Sequence, residues 1–190
     1  GQICPHRPAD LITKLAPVAY DPDAQAPTWE AFLDEIMSGD EDLVAFLQRA
    51  VGYALTGNVG EQCMFILHGT GANGKTTFLE AMLSVLGDYS GQTQTSTLMM
   101  GRTEKVPDDI ADLQGARLVT ATEVEDGQRL AEARIKQLVG GDTLRVRHLY
   151  GKWFTFRPQF KLFLATNHKP MIRGTDNAIW RRVHMIPFRV

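Results

Sequence analysis

Eight consecutive residues carry the clearest chemistry in the chain. Gly69-Thr70-Gly71-Ala72-Asn73-Gly74-Lys75-Thr76 fits the spacing G-x-x-x-x-G-K-[ST] at every fixed position. Glycines allow successive backbone N–H groups to turn inward with no Cβ in the way, which makes a concave nest for an anion. A helix that starts at such a nest adds its positive end. Lys75 supplies a mobile point charge suited to β- and γ-phosphates, and the Thr76 hydroxyl is a hard oxygen ligand suited to Mg²⁺. Gly69 to Thr77 is therefore the expected phosphate site. Chance matches to the motif occur in glycine-rich turns, but this one lies between an apolar strand and an amphipathic helix.

Hydrolysis needs an oriented water and neutralisation of developing charge as well as binding. Leu118-Val119-Thr120-Ala121-Thr122-Glu123 reads as an apolar strand ending in a carboxylate. Glu123 is the candidate for holding metal and water, with Glu125 or Asp126 able to share the task or to form a solvated acidic turn. Lys161–Asn167 reads as a strand presenting a polar amide, which can orient a water or simply close an Asx-turn. Arg181-Arg182, between Trp180 and Val183, could supply a guanidinium to a γ-phosphate or form a surface pair.

The elements that must position these groups follow from the hydrophobic pattern. Residues 1–28, with prolines at 5, 8, 17, 22 and 27, read as an irregular lead-in. Residues 29–60 read as a small helical domain: Trp29, Phe32, Leu33 and Ile36 repeat at helical spacing, Ser38-Gly39-Asp40 interrupts, and Leu43, Phe46, Leu47, Ala50, Val51 and Ala54 form a second stripe. From Glu61 to residue 190 short apolar strands alternate with helices, the pattern of a parallel α/β sheet. Expected there are strands at Cys63–Leu67, Ala116–Ala121, Lys161–Ala165 and Val183–Phe188, with helices at Lys75–Leu86 and Gln128–Val139. Thr143–Phe156 alternates apolar and basic residues around Gly151-Lys152, as a β-hairpin does.

Bulk properties narrow the class. The 190 residues are 44% apolar and 22% charged, ordinary for a globular protein. Apolar stretches such as Met64–Leu67 are far too short to cross a bilayer, so no membrane is expected. Cys4 and Cys63 are isolated, which suits a reducing, cytoplasmic setting, and the five scattered histidines form no ligand pair. Charge is polarised. Residues 141–190 hold ten Lys/Arg and two acids (+8), leaving ten Lys/Arg and twenty acids (−10) before them. Two readings stay open: a basic face for phosphate or nucleic acid, or an acidic half pairing with a basic half inside one fold.

From Asp21 onward the chain resembles the C-terminal helicase part of phage and plasmid primase–helicases, the superfamily 3 helicases. The resembling segments include Tyr20-Asp21-Pro22-Asp23-Ala24, Gly52-Tyr53-Ala54-Leu55-Thr56-Gly57, the loop 69–77, Gly115-Ala116-Arg117-Leu118-Val119 and Gly140-Gly141-Asp142. Thr166-Asn167-His168-Lys169-Pro170, Ile179-Trp180-Arg181-Arg182-Val183 and Ile186-Pro187-Phe188 complete the series in the family's order. Val124 departs from the pattern by splitting the acidic pair after the second strand. The chain reads as part of a longer protein, with no primase-like segment of its own.

The resemblance implies a P-loop NTPase with an AAA+-like parallel sheet flanked by helices, a small N-terminal helical subdomain and a β-hairpin insertion. It implies ATP and Mg²⁺ as cofactors, with Lys75, Glu123, Asn167 and one of Arg181 and Arg182, Arg182 favoured, as catalytic residues. Thr76 and Glu123 hold the metal, the latter through water. Arg147, His148 and Lys152 near the hairpin tip are the implied DNA contacts, their alternative being exposed hairpin charges. Implied partners are single-stranded or forked DNA, further copies of the chain in a hexameric ring, and a primase domain elsewhere in the parent protein, in a bacterial host cytoplasm. The alternatives are a nucleotide-regulated DNA-loading or assembly protein, and a P-loop kinase, which would need a lid rich in arginine.

Overall fold

A computed structural model describes residues 4–101 and 108–190. Among these, five strands form one parallel sheet in the order β2-β3-β6-β1-β7. They are β1 (Met64–His68), β2 (Ser90–Gln92), β3 (Leu118–Thr122), β6 (Lys161–Thr166) and β7 (Val183–Pro187). The central strands read as continuous apolar runs because both faces are covered. Met64 and Ile66 of β1, with Leu162 and Leu164 of β6, pack on one core; Phe65, Leu67, Phe163 and Ala165 pack on the other. That alternation is the period of two expected of a pleated strand.

The second core is closed by α1 (Pro27–Ile36), α2 (Glu41–Leu55) and α3 (Lys75–Leu86), so the helical pair shares its core with the sheet. The break between α1 and α2 falls where the sequence places it. Ser38 (φ 54°) and Gly39 (φ 73°) turn left-handed, and the Asp40 carboxylate caps α2 by accepting from the Leu43 N–H at 3.1 Å. At its far end α2 runs into two cations of the sheet. The Arg117 guanidinium donates to Leu55 O at 2.7 Å and the buried Lys161 ammonium donates to Thr56 O, where a helix carries its negative end. The Lys161 ammonium also lies 4.3 Å from the Tyr53 ring centroid, and burial pushes its pKa down to about 8.

On the opposite face lie α4 (Thr95–Leu98), α5 (Glu132–Val139), α6 (Asn177–Trp180) and the antiparallel hairpin of β4 (Leu144–Val146) and β5 (Phe154–Phe156). Here the structure departs from the expected boundaries. The helix expected from Gln128 starts only at Glu132, because the Leu130 and Ala131 N–H groups donate to Met171 O and Leu98 O instead of entering a helix. The expected strand at Ala116 begins at Leu118. The hairpin expected within Thr143–Phe156 is present as β4 and β5. The first strand stops at Val146 and the second starts at Phe154, and between them Gly151 N–H donates to His148 O and Tyr150 is left-handed (φ 60°).

Candidate functional site

Three strand ends make the site. Strands β3, β6 and β1 are parallel neighbours, so their C-terminal ends reach the same edge of the sheet, the edge where open α/β sheets bind ligands. Leu67 lies opposite Ala165 and His68 opposite Thr166, which brings Gly69 and Asn167 side by side as the chain leaves β1 and β6. Thr122 also lies opposite Ala165, so Glu123 emerges on the other flank of β6. The Glu123 N–H donates to Ala165 O at 3.1 Å and its φ is +67°, a left-handed kink that ends the ladder. Gly71 to Thr77, Thr122, Glu123 and Ala165 to Asn167 line one cleft of about 420 Å³.

The glycine loop is held from beneath. Asn73 is 2% exposed and its side-chain amide donates to Phe188 O at 3.4 Å. A Cβ on Gly69 would lie 2.0 Å from the Asn73 Nδ2 and 2.4 Å from Phe188 O, so only glycine fits there. A Cβ on Gly74 (φ +82°) would lie 2.7 Å from Ile36 of α1, whereas one on Gly71 would meet nothing within 4 Å. Both fixed glycines of the motif are thus required by their surroundings, and Gly71, at a free position, faces open space. Helix α3 begins at Lys75, directing its N-terminal N–H groups at the loop.

Lys75 is 7% exposed, and its ammonium donates to Gly69 O at 2.8 Å, Asn73 Oδ1 at 2.7 Å and Asn167 Oδ1 at 2.9 Å. Burial lowers its pKa from the usual lysine value. The His68 pKa is lowered too, by burial first and then by Lys169 and Lys75. Lys75 lines the cleft together with the backbone of the glycine loop and the Asn73 and Asn167 amides, a lining that suits phosphate oxygens. Glu123 and the Thr76 hydroxyl are exposed within it, an oxygen pair that fits a hard cation retaining several waters.

The neighbouring acids separate. Val124 is buried in the core, which turns Glu123 and Glu125 outward. Glu125 accepts from Gln128 at 3.3 Å and Asp126 lies 3.9 Å from His168, while of the three acids the cleft is lined by Glu123 alone.

The arginines lie at the far end of the sheet. Arg182 O accepts from the Met64 N–H at 2.7 Å, at the start of β1, so this pair is about 16 Å of strand away from Gly69. The two members of the pair are placed differently. Arg182 is 8% exposed, with its guanidinium donating to Ala178 O and to Gln62 Oε1, and so it faces the protein interior. Arg181 is the exposed one, and donates to the same Gln62 oxygen at 2.7 Å. Gln62 carried no signal in the sequence.

The hairpin tip gathers cations and aromatic rings. Arg145 and Arg147 lie over the Trp153 ring, 5.2 and 4.9 Å from its centroid, and Lys152 precedes it. Tyr150 at the turn is 96% exposed. His148 has partners within the fold: Nδ1 lies 3.1 Å from Asp112, and the ring stacks on Phe154. Part of the charge polarity is met within the fold, where Arg189 pairs with Asp40 at 3.1 Å, and the hairpin holds a local basic cluster.

Residues 67–182 match the model of a family of unknown function, DUF5906. The chain belongs to that family. Residues 1–38 of this DUF5906 chain also match the D5 N terminal like family. A protein of Acanthamoeba polyphaga mimivirus named as a helicase is 30% identical over 188 residues, which is 97% of this chain and 20% of the relative. A Frog virus 3 protein, also named as a helicase, is 29% identical, covering 83% of this chain and 17% of that one. Primase D5 of Fowlpox virus is 27% identical, covering 68% of this chain and 17% of the relative. The chain thus spans about a fifth of the length of these curated viral relatives. Its fold is shared with the C-terminal region of NrS-1, at a TM-score of 0.66 and 14% identity over 87% of this chain and 38% of that one. Among the described residues of the DUF5906 chain, no helix is long and apolar enough to cross a membrane.

Proposed function

We propose that this chain is the P-loop ATPase module of a viral replication primase–helicase of the superfamily 3 kind. The observation that carries the reading is the meeting of Lys75, Glu123 and Asn167 at one cleft from three adjacent parallel strands. Bound there, ATP with Mg²⁺ would supply the terminal phosphoryl group and a cation that spreads the charge developing on it.

The residues divide the work. The N–H groups of Gly71 to Thr76 and the Lys75 ammonium would hold phosphate oxygens, and Thr76 with Glu123 would hold the cation. The Glu123 carboxylate accepts a hydrogen bond from the attacking water, and Asn167 fixes that water's direction with its amide. Positioned donors of this kind contribute most when charge develops in the transition state, because they need no reorganisation then.

Arg181 lies on the opposite end of the sheet and acts on the cleft of a neighbouring copy, the geometry of a ring. The hairpin tip engages single-stranded DNA: Arg145, Arg147 and Lys152 attract phosphates, and exposed Tyr150 offers a ring face to a base. The basic–aromatic pairing favours a nucleic-acid motor over a small-molecule kinase. The test is ATP turnover by the intact protein with and without single-stranded DNA. DNA-stimulated turnover is expected, and turnover indifferent to DNA in an assembled sample contradicts the motor reading.

A further inference from the structure

Gln62 sits where the two halves of the arginine pair meet. It ends the turn before β1, with its N–H donating to Val59 O at 3.0 Å and its backbone left-handed (φ 51°), a conformation that a non-glycine residue rarely adopts. Its side-chain oxygen accepts from Arg181 at 2.7 Å and from Arg182 at 2.8 Å, and its amide nitrogen donates to Gly140 O at 3.1 Å. This donor–acceptor pattern fixes the orientation of the amide, since the flipped form would set N–H groups against two guanidinium donors.

We infer that Gln62 is a positioning residue, which aims Arg181 at the nucleotide of a neighbouring copy. The inference rests on the proposed trans role of Arg181. Two like charges side by side repel, and one sp² oxygen with two lone pairs is the smallest acceptor able to hold both. Arg182 is the buried anchor of the arrangement; its own pKa is lowered by burial and then by Arg181. Arg181 is the arm left at the surface.

The choice of a neutral amide over a carboxylate follows from electrostatics. A glutamate at 62 would pair with both arginines and cancel the positive charge that a γ-phosphate must meet. It would also set an anion against Gly140 O, losing the bond to the end of α5. Through that bond Gln62 ties the arginine pair to the segment that enters the DNA hairpin at Leu144 four residues later.

The test uses the intact protein carrying Gln62→Glu, Gln62→Met or Arg181→Ala, assayed for ATP turnover at saturating single-stranded DNA. The expected result is a fall in kcat of about tenfold or more for each, with KM for ATP within about twofold. Gln62→Glu should keep or raise the thermal midpoint, which separates aim from stability; Gln62→Met covers the case in which the charged variant fails to fold. Mixing Gln62→Glu subunits with Lys75→Ala subunits should restore turnover above that of either alone, because one supplies a sound cleft and the other a sound arginine. Parental kcat in either Gln62 variant, beside a loss in Arg181→Ala, overturns the positioning role alone. Parental kcat in Arg181→Ala overturns the trans reading and this inference with it. A mixture no more active than its parts also contradicts the inference.

Discussion

Lys75 and Asn167, 92 positions apart in sequence, are joined by a hydrogen bond of 2.9 Å from the lysine ammonium to the asparagine side-chain oxygen. The bond follows from the β1–β6 register, which sets the residues after His68 and Thr166 beside each other. With its oxygen turned to Lys75, Asn167 presents its N–H₂ group as a donor. One amide thereby engages both the lysine that follows the glycine loop and any acceptor that lies beyond it. Asn167→Ala should lower ATP turnover about 10²-fold while leaving nucleotide affinity within a few-fold, since the loop and Lys75 remain. Steady-state turnover and equilibrium binding on the same sample check this.

The glycines of the loop should respond unequally. Gly69→Ala drives a methyl into Asn73 and Phe188 O, and should destabilise the fold by about 1–3 kcal/mol and weaken nucleotide binding. Gly71→Ala meets open space and should leave the unfolding free energy within about 0.5 kcal/mol. Denaturant titration of the two variants against the parent distinguishes the cases.

Lys161 gives the stability a pH signature. Its folded pKa is about 8, below the value of an unfolded lysine, so the folded state loses the proton first. Between about pH 8 and 10.5 the unfolded state binds more protons, and this group's contribution to stability rises with pH across that window. Below pH 8 both states are charged and the burial penalty is constant. The gap in unfolding free energy between parent and Lys161→Met should therefore shift in the parent's favour by roughly 1–3 kcal/mol from pH 8 to 10. A gap independent of pH would mean the ammonium is not desolvated.

Much of this was legible from spacing. The loop, α3 from Lys75 to Leu86 and the polar ends of β3 and β6 follow from apolar runs closed by glycine, glutamate and asparagine. What escaped has a common cause: contacts made across long sequence separations. Strand β2 is Ser-Gly-Gln, which has no apolar period and is a strand only because β3 pairs with it. The first turn expected of α5 was lost to bonds with Met171 and Leu98. Arg181 and Arg182 look alike in sequence, yet the second is buried, with a hydrogen bond to Gln62, 120 positions away. No local pattern encodes such a choice.

Equilibrium binding of ATP with Mg²⁺ to the folded chain, parent against Lys75→Ala, tests the central claim most directly. The expected result is saturable binding with one nucleotide per chain, weakened about 10²-fold or more by the substitution while the circular dichroism spectrum is unchanged. A folded parent that binds no nucleotide, or a Lys75→Ala variant that binds as tightly as the parent, would contradict the account.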